Sequence, residues 1–308
     1  MPFLASQQVI SVKLQAGQGT YESPIDTDSV LCENLQFSFV EQKSVERNSI
    51  RVGTLGKLGA CNVTRMAQLS FDTEVKGSGA AGVASEDYTL NLIAGFAATI
   101  VAATSVTYSL NANPVYLASV AFRYGDQITE MYDCTATSTV TIKANMTAIK
   151  SWVVTGRLNT MGGTSPFVPL YDAVKPAQCN AMNMQYAGVG FSATSLAIDL
   201  QVQNSPVESL NGSDGFEPPY ITGRGPIKIS IDPLIGGVVW NSFWSDNTAN
   251  ALTIDAVGSG AGNSWQIVIP AVKILDVQHA DRNEYKAYSV EMEAVETTLN
   301  DEISVIYT

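Results

Sequence analysis

The stretch QLSFDTEV, residues 68–75, alternates between two kinds of side chain. Its odd-numbered residues are apolar or threonine, and its even-numbered residues are glutamine, serine, aspartate and glutamate. Successive side chains of a β-strand point to opposite faces of the sheet. The pattern therefore predicts a strand with one face on a core and the other face in water.

The same alternation starts in LQFSF at 35–39 and returns in the pair of stretches 196–203 and 227–232. After each pair the sequence predicts a short helix and then further strands. The predicted helices lie near 87–98 and 236–246. The predicted later strands lie near 104–110, 115–124, 127–132, 137–145 and 150–158, and again near 250–257, 265–277 and 284–297, with an extra strand in 301–308. The order recurs after about 150 residues, which indicates two similar modules and an internal pseudo-symmetry.

The predicted fold class is mainly β, with two tandem β-rich modules that each carry a short flanking helix. A chain of 308 residues is long enough for two domains with a core each. We assign an N-terminal arm to 1–34, a first module to 35–160, a linker to 161–178 and a second module to 179–308. Three prolines in the linker mark the module boundary.

The net charge of −12 argues against tightly held nucleic acid, because phosphate binding needs clustered basic residues. This charge is compatible with nucleic acid that moves past the protein without binding to it. The first fifteen residues lack the basic and apolar regions of a signal peptide. The longest apolar run, 92–103, is too short to span a bilayer and predicts a buried helix that runs into a turn.

No metal or cofactor is expected. Cys32, Cys61, Cys134 and Cys179 form no C-x-x-C pair, and the single histidine rules out a zinc framework. We interpret the cysteines as reduced thiols. The acidic loop at 211–217 lacks the ligand spacing of an EF-hand.

Two motifs are considered as candidate enzyme sites. GSGAAG at 77–82 fits the dinucleotide fingerprint, but the preceding strand is polar on one face and no acidic residue occurs in 88–125. We therefore interpret it as a flexible turn. His279 lies between Asp276 and Asp281 and is interpreted as a surface histidine in a polar turn. The tryptophans are predicted to anchor the core; they are Trp152, Trp240, Trp244 and Trp265.

Several stretches together resemble the major tail tube proteins of long-tailed, siphovirus-like bacteriophages. They are VERNSIRVGTLGK (45–57), LSFDTEVKGSGAAG (69–82), LNLIAGFAATIVAATSVTYSL (90–110), TVTIKANMTAIKSWVVTGRLNT (139–160) and ITGRGPIKISIDP (221–233). The similarity covers most of 17–235, and it lies in the order and spacing of motifs that are not catalytic.

The resemblance implies that each module is a β-sandwich or half-barrel with a flanking helix. Six such modules would form a ring with a continuous inner barrel, and stacked rings would form a tube that conducts DNA during ejection. The chain would then be a structural virion protein, not an enzyme, assembled in the bacterial cytoplasm and located in the tail, away from membranes. Other tail proteins would contact the tube ends. Because the chain carries two modules, a pseudo-hexameric homotrimer is favoured, with a homohexamer as the alternative.

If the paired strands line the lumen, their polar faces point inward and DNA passes as a transient, non-specific cargo. The expected lumen residues are Gln36, Ser38, Gln68, Ser70, Asp72, Glu74, Asp199, Gln201, Gln203, Lys228, Ser230 and Asp232. A net negative wall of this kind repels phosphate.

A basic loop is expected to contact an acidic surface on the next ring, with a solvated loop as the alternative. Its cations are Lys43, Arg47, Arg51, Lys57 and Arg65. The candidate acidic surface comprises Asp276, Asp281, Glu284, Glu291, Glu293, Glu296, Asp301 and Glu302.

The runner-up function is another β-rich virion component, such as a tail completion, capsid decoration or adhesin protein. An enzyme is the third possibility, supported by GSGAAG alone.

Overall fold

The prediction of a mainly β fold is confirmed. The computed structural model describes residues 8–40, 44–47, 58–62, 66–125, 127–164, 168–204, 207–211, 215–217, 221–258, 260–282 and 284–308, with no side-chain description for 44–47, 58–62 and 164. Within these ranges the chain forms 21 strands and two short α-helices. Every pairing described between the strands is antiparallel.

The first half of the chain contains eleven strands and one helix. They are β1 (Gln8–Leu14), β2 (Ser29–Val30), β3 (Glu33–Phe39), β4 (Ser44–Arg47), β5 (Leu58–Asn62), β6 (Met66–Glu74), α1 (Tyr88–Ile93), β7 (Phe96–Val101), β8 (Ser105–Leu110), β9 (Ala118–Tyr124), β10 (Gln127–Lys143) and β11 (Ile149–Thr164).

The second half contains ten strands and one helix. They are β12 (Asn183–Tyr186), β13 (Val189–Gly190), β14 (Ala193–Asp199), β15 (Val202–Asn204), β16 (Ile221–Arg224), β17 (Lys228–Pro233), α2 (Trp240–Asp246), β18 (Asn250–Ala256), β19 (Trp265–Arg282), β20 (Tyr285–Ala294) and β21 (Ser304–Tyr307).

Three elements of the first half differ from the sequence-based expectation. The segment taken as an arm supplies β1, which pairs along its whole length with β9. The helix expected over 87–98 ends at Ile93, because Gly95 adopts a left-handed φ of +91° and β7 begins directly after it. The two strands expected at 127–132 and 137–145 are one strand, β10, which is bulged at Asp133 (φ +52°).

The two halves share one set of strand pairings. In the first half the order is β3-β6-β11-β10-β9-β1-β2. In the second half it is β14-β17-β20-β19-β18-β12-β13. The two-stranded sheets β4-β5 and β15-β16 occupy the same place in each series, and a helix follows β6 and β17 alike. The hairpin β7-β8 is found between the helix and the next strand in the first half, whereas α2 leads directly into β18.

A single sheet of eight strands, the long sheet, runs through both halves. Its order is β3-β6-β11-β10-β14-β17-β20-β19, and the pairing of β10 with β14 joins the halves. Strands β9, β1 and β2, strands β18, β12 and β13, the strands β7, β8 and β21 and the two helices form a second layer. One cluster of buried side chains lies between the layers and includes Ile10, Trp152, Ile198 and Trp240. The molecule is therefore a two-layer structure with a core common to both halves.

Three of the four tryptophans are core anchors, as predicted. Trp152, Trp240 and Trp265 are buried, and Trp240 contacts the rings of Tyr186 and Phe191. The prediction for Trp244 is wrong, because 51% of this residue is exposed on α2.

The GSGAAG segment does not form a free turn. A side chain on Gly77 would place its Cβ atom 1.7 Å from the backbone oxygen of Gly262, in the turn between β18 and β19. The amide of Gly77 donates to Oδ1 of Asn263 at 3.2 Å. Asn263 in turn donates through Nδ2 to the backbone oxygen of Lys175 at 2.6 Å. The glycines thus serve a close backbone approach between the two halves.

We expect Gly77→Ala to lower the free energy of unfolding by about 1–3 kcal/mol, because the two backbones must separate to admit a methyl group. Urea denaturation followed by circular dichroism measures the change. The matched control is Gly17→Ala, since no atom lies within 4 Å of a Cβ built there. Equal stability of the two variants would show that the contact is not needed.

Candidate functional site

The outward face of the long sheet, which we call the polar face, holds ten of the twelve residues expected in a lumen. They are Gln36, Ser38, Gln68, Ser70, Asp72, Glu74, Asp199, Lys228, Ser230 and Asp232. On β6 they alternate with the buried residues Leu69, Phe71 and Thr73, which point into the core. The period-two pattern of the sequence therefore corresponds to the buried and the outward face of the folded sheet.

The other two expected residues, Gln201 and Gln203, lie beyond the end of β14. Gln201 adopts a left-handed φ of +50°, and its amide donates to Oδ1 of Asp199 at 3.0 Å. Gln203 belongs to β15, which pairs with β16 and not with β17. The expectation of one strand over 196–203 is wrong, because the chain turns at Gln201 and leaves the long sheet.

Four further strands contribute to the polar face, β10, β11, β19 and β20. The sequence predicts strands in these segments but does not place them on the lumen face. Val153 of β11 lies between Ser70 and Thr137, and Glu291 of β20 lies between Ser230 and Asp276. The alternation of TVTIK at 139–143 and of VEMEA at 290–294 was the available signal. Whether the polar residues of these segments share a face with those of β6 depends on the register of the strand pairing, which is a long-range property.

Carboxylates outnumber cations on the polar face. The carboxylates are Glu33, Asp72, Glu74, Asp199, Asp232, Asp276, Glu291 and Glu293, and the cations are Lys143, Lys228, Lys273 and Arg282. Several carboxylates are held by neighbours on the face. Asp72 accepts from Nδ2 of Asn34 at 2.7 Å, and Asp232 accepts from Oγ of Ser195 at 2.7 Å and from Nη2 of Arg282 at 2.9 Å. The face is therefore polar, ordered and net negative.

The halves are joined by a strand junction of defined register. Thr139 pairs with Asp199, and Lys143 pairs with Ser195. Backbone hydrogen bonds extend the junction at both ends, from the Leu200 amide to the Ser138 oxygen at 3.3 Å and from the Ala144 amide to the Thr194 oxygen at 3.0 Å. The second half of β10 thus pairs with β14 along the edge that its first half uses to pair with β9.

The edges that β10 and β14 use in this junction have counterparts at the two ends of the long sheet, where no other described strand pairs with them. Strand β3 is the counterpart of β14, and among the described residues it pairs only with β6. Strand β19 is the counterpart of β10. Its pairing with β18 ends at Val272, and from Val277 onward it pairs only with β20 within the described ranges. Each end of the sheet therefore presents unpaired backbone groups.

The backbone direction of each open edge follows from neighbouring hydrogen bonds. The amide of Val40 donates to the oxygen of Met66 in β6 at 3.1 Å. Because backbone groups alternate in direction along a strand, Phe37 directs its own amide and carbonyl to the open edge. On β19, Val272 takes the place of Cys134, and Leu275 is an extra residue at a second bulge that β10 lacks, so His279 corresponds to Val140. His279 therefore directs its backbone groups to the other open edge.

Most of the basic loop lies outside the described residues. Lys43, Arg51, Lys57 and Arg65 fall in the undescribed segments, and Arg47 ends β4 opposite Leu58. Contact of this loop with another ring stays a prediction.

The acidic residues suggested as its partner are spread over several surfaces. Glu291 and Glu293 lie on the polar face, whereas Asp281 pairs with Lys286 at 2.8 Å. Asp301 is fixed in a turn, where the hydrogen bond from the Thr297 side chain is the main reason that its pKa falls to about 2.

The residues considered for catalysis do not converge. His279 lies within β19 and not in a turn, and its ring is 5.0 Å from that of Tyr288. A cavity of about 290 Å³ next to the β10–β14 junction includes Cys179, whose pKa is raised by burial. Its described lining carries amides, hydroxyls and thioethers, without a carboxylate or histidine.

Other side chains with shifted pKa values belong to the core. Burial lowers the pKa of Lys150, although Asp87 lies 3.7 Å from its Nζ. Burial, and then the charge of Glu33, raises the pKa of Cys32 to about 12. The described part of the chain contains no group of three or more histidine, cysteine or acidic side chains placed to hold a metal ion.

The helices of the described segments are too short and too polar to cross a bilayer. No protein-family model matches the chain, and no curated protein matches it significantly in sequence.

Proposed function

We propose that this chain is a structural virion protein that assembles into stacked rings, and that these rings form the tail tube of a long-tailed bacteriophage. One observation carries the proposal. The β10–β14 junction joins the two halves within the chain, and a matching pair of edges, on β19 and β3, is open at the ends of the long sheet.

The proposed ring repeats the β10–β14 junction between neighbouring copies of the chain. The open edge of β19 in one copy pairs with β3 of the next, with His279 opposite Phe37 as Val140 is opposite Ile198. This contact is head-to-tail, and a head-to-tail contact generates a ring when its rotation closes. Each added strand satisfies backbone groups that would otherwise remain unpaired at an edge.

The resemblance to tail tube proteins supplies the expected ring size. Six modules per ring correspond to three copies of a chain that has two similar halves. A homotrimer is therefore favoured, and a homohexamer is the alternative. Other tail proteins would meet the exposed ends of the tube, and the protein would be part of the virion tail.

The polar face then lines the lumen. Its excess of carboxylates, including Asp72, Asp199 and Glu291, repels the phosphates of double-stranded DNA, so that DNA passes without adhering. The core and the second layer lie outside this wall. DNA is a transient and non-specific cargo of the tube, not a ligand.

Negative-stain electron microscopy of the purified protein distinguishes the proposal from its competitors. Stacked rings with a central channel are expected, and averaged end views give the number of copies in each ring. Isolated particles at every concentration would favour another virion component, such as a decoration, tail completion or adhesin protein, or an enzyme.

We expect His279→Pro to abolish ring formation, because proline removes the backbone donor that the open edge of β19 offers to β3 of the next copy. The subunit itself should keep its fold, since this donor has no strand partner within the described chain. Light scattering coupled to size-exclusion chromatography measures the mass, and the circular-dichroism melting curve checks the fold.

The matched control for this prediction is Ile100→Pro on β7. Strand β7 is also an edge, and Ile100 directs its amide away from β8, because the adjacent Val101 accepts from the Thr104 amide at 3.0 Å. Rings should form normally with this control. Intact rings of His279→Pro, or loss of rings in both variants, would contradict the assigned edge.

We expect the double variant Glu74→Lys, Glu291→Lys to form tubes that retain DNA, because both changes place cations on the wall of the lumen. Retention should weaken steeply as the salt concentration rises, as phosphate contacts do. A filter-binding assay with linear double-stranded DNA at several salt concentrations measures it.

The control double variant is Glu217→Lys, Asp246→Lys, which makes the same charge change at exposed residues off the long sheet. Equal DNA retention by the two double variants would show that the polar face is not the surface that DNA meets.

A further inference from the structure

The two helices occupy equivalent places in the two halves but differ in burial. In α1, Leu90, Leu92 and Ile93 are all buried. In α2, Trp240 is the one buried residue, whereas Trp244 is 51% exposed and the adjoining Val239 is 65% exposed. We call the apolar surface formed by Val239, Phe243, Trp244 and Leu275 the α2 patch.

The cover of α1 comes partly from the other half of the chain. Tyr88 of α1 lies 6.3 Å from the ring of Tyr108 in β8, and Tyr108 lies 5.9 Å from the ring of Tyr307. Tyr307 belongs to β21, which pairs with both β8 and β19. Strand β21 therefore brings the second half of the chain next to β8, the strand whose Tyr108 contacts the helix of the first half.

No such cover reaches α2 within the described chain. The hairpin that corresponds to β7-β8 is missing, because only three residues separate the end of α2 at Asp246 from the start of β18 at Asn250. Trp244 and Val239 are at least half exposed, and Leu275, which accepts a hydrogen bond from the Trp244 side chain, is nearly half exposed. Large apolar side chains grouped in this way mark a surface that is buried in an assembly.

The α2 patch also adjoins the open edge of β19. Nε1 of Trp244 donates to the backbone oxygen of Leu275 at 3.1 Å, two residues before the open edge starts at Val277. Leu275 is itself about half exposed. A strand added to β19 would thus pass beside the indole ring of Trp244.

We infer that the α2 patch is a docking surface for the first half of a second copy of this chain. The inference rests on the proposed ring and adds a side-chain contact to its strand junction. In the chain, the half that follows α1 adds β21 to β8 beside this helix. By the same arrangement, the half that follows in the next copy lies beside α2. Val168 and Leu170 of that copy are suitable partners, since they are largely exposed and follow β11 as β21 follows β20.

Tryptophan fluorescence provides a direct test, because Trp244 is the only one of the four tryptophans that is exposed. Ring assembly of the wild-type protein should shift the emission to shorter wavelength. Quenching by acrylamide should fall to the level of the Trp244→Phe variant. The unassembled reference is the His279→Pro subunit, whose Trp244 should stay fully quenchable.

A charged substitution tests the energetic contribution of the patch. Val239→Lys should raise the protein concentration needed for half-maximal ring formation by about tenfold or more, because it keeps an apolar contact from forming. The control is Val115→Lys, at an exposed valine outside the patch. Both variants should match the wild type in melting temperature.

The outcomes separate this inference from the proposed function. Rings in which Trp244 stays as quenchable as in the isolated subunit would overturn the docking surface and leave the tube proposal standing. Equal assembly of Val239→Lys and the control would overturn it too. Absence of rings from the wild-type protein would refute the proposed function itself.

Discussion

The structure depends on one backbone constraint, which is that every edge of a β-sheet must find partners for its amides and carbonyls or remain exposed. Within the chain the constraint is met where β10 pairs with β14, and this junction makes one sheet out of two halves. At β3 and at the far part of β19 it is not met by the described chain. The proposed pairing of these two edges between neighbouring copies would satisfy it.

The long sheet also separates two chemical environments. Its inward face carries Leu69, Trp152 and Ile229, which share the core with the second layer. Its outward face carries short polar side chains and an excess of carboxylates held by hydrogen bonds, such as Asp232 between Ser195 and Arg282. A surface of this kind is well hydrated and repels polyanions.

The backbones of the two halves meet at two places. One is the strand junction, and at the other the glycine turn at Gly77 meets the turn at Gly262, backbone against backbone. Side chains at these positions would force the halves apart. The dinucleotide-like spacing of these glycines is therefore explained by packing and needs no ligand.

The sequence by itself determined the mainly β class, the two faces of strands such as 66–74, and the polar-face residues of four of the eight strands of the long sheet, because alternation with period two is a local property. It also located three tryptophans in the core. Only the tertiary structure decided that residues 8–14 form a strand, that the chain leaves the sheet at Gln201, and that α2 keeps Trp244 exposed. These features depend on which distant strands pair and in which register, and a one-residue difference in register reverses every side chain of a strand. Local patterns do not contain that information, so the open edges and the patch beside them became visible only once the strands were paired.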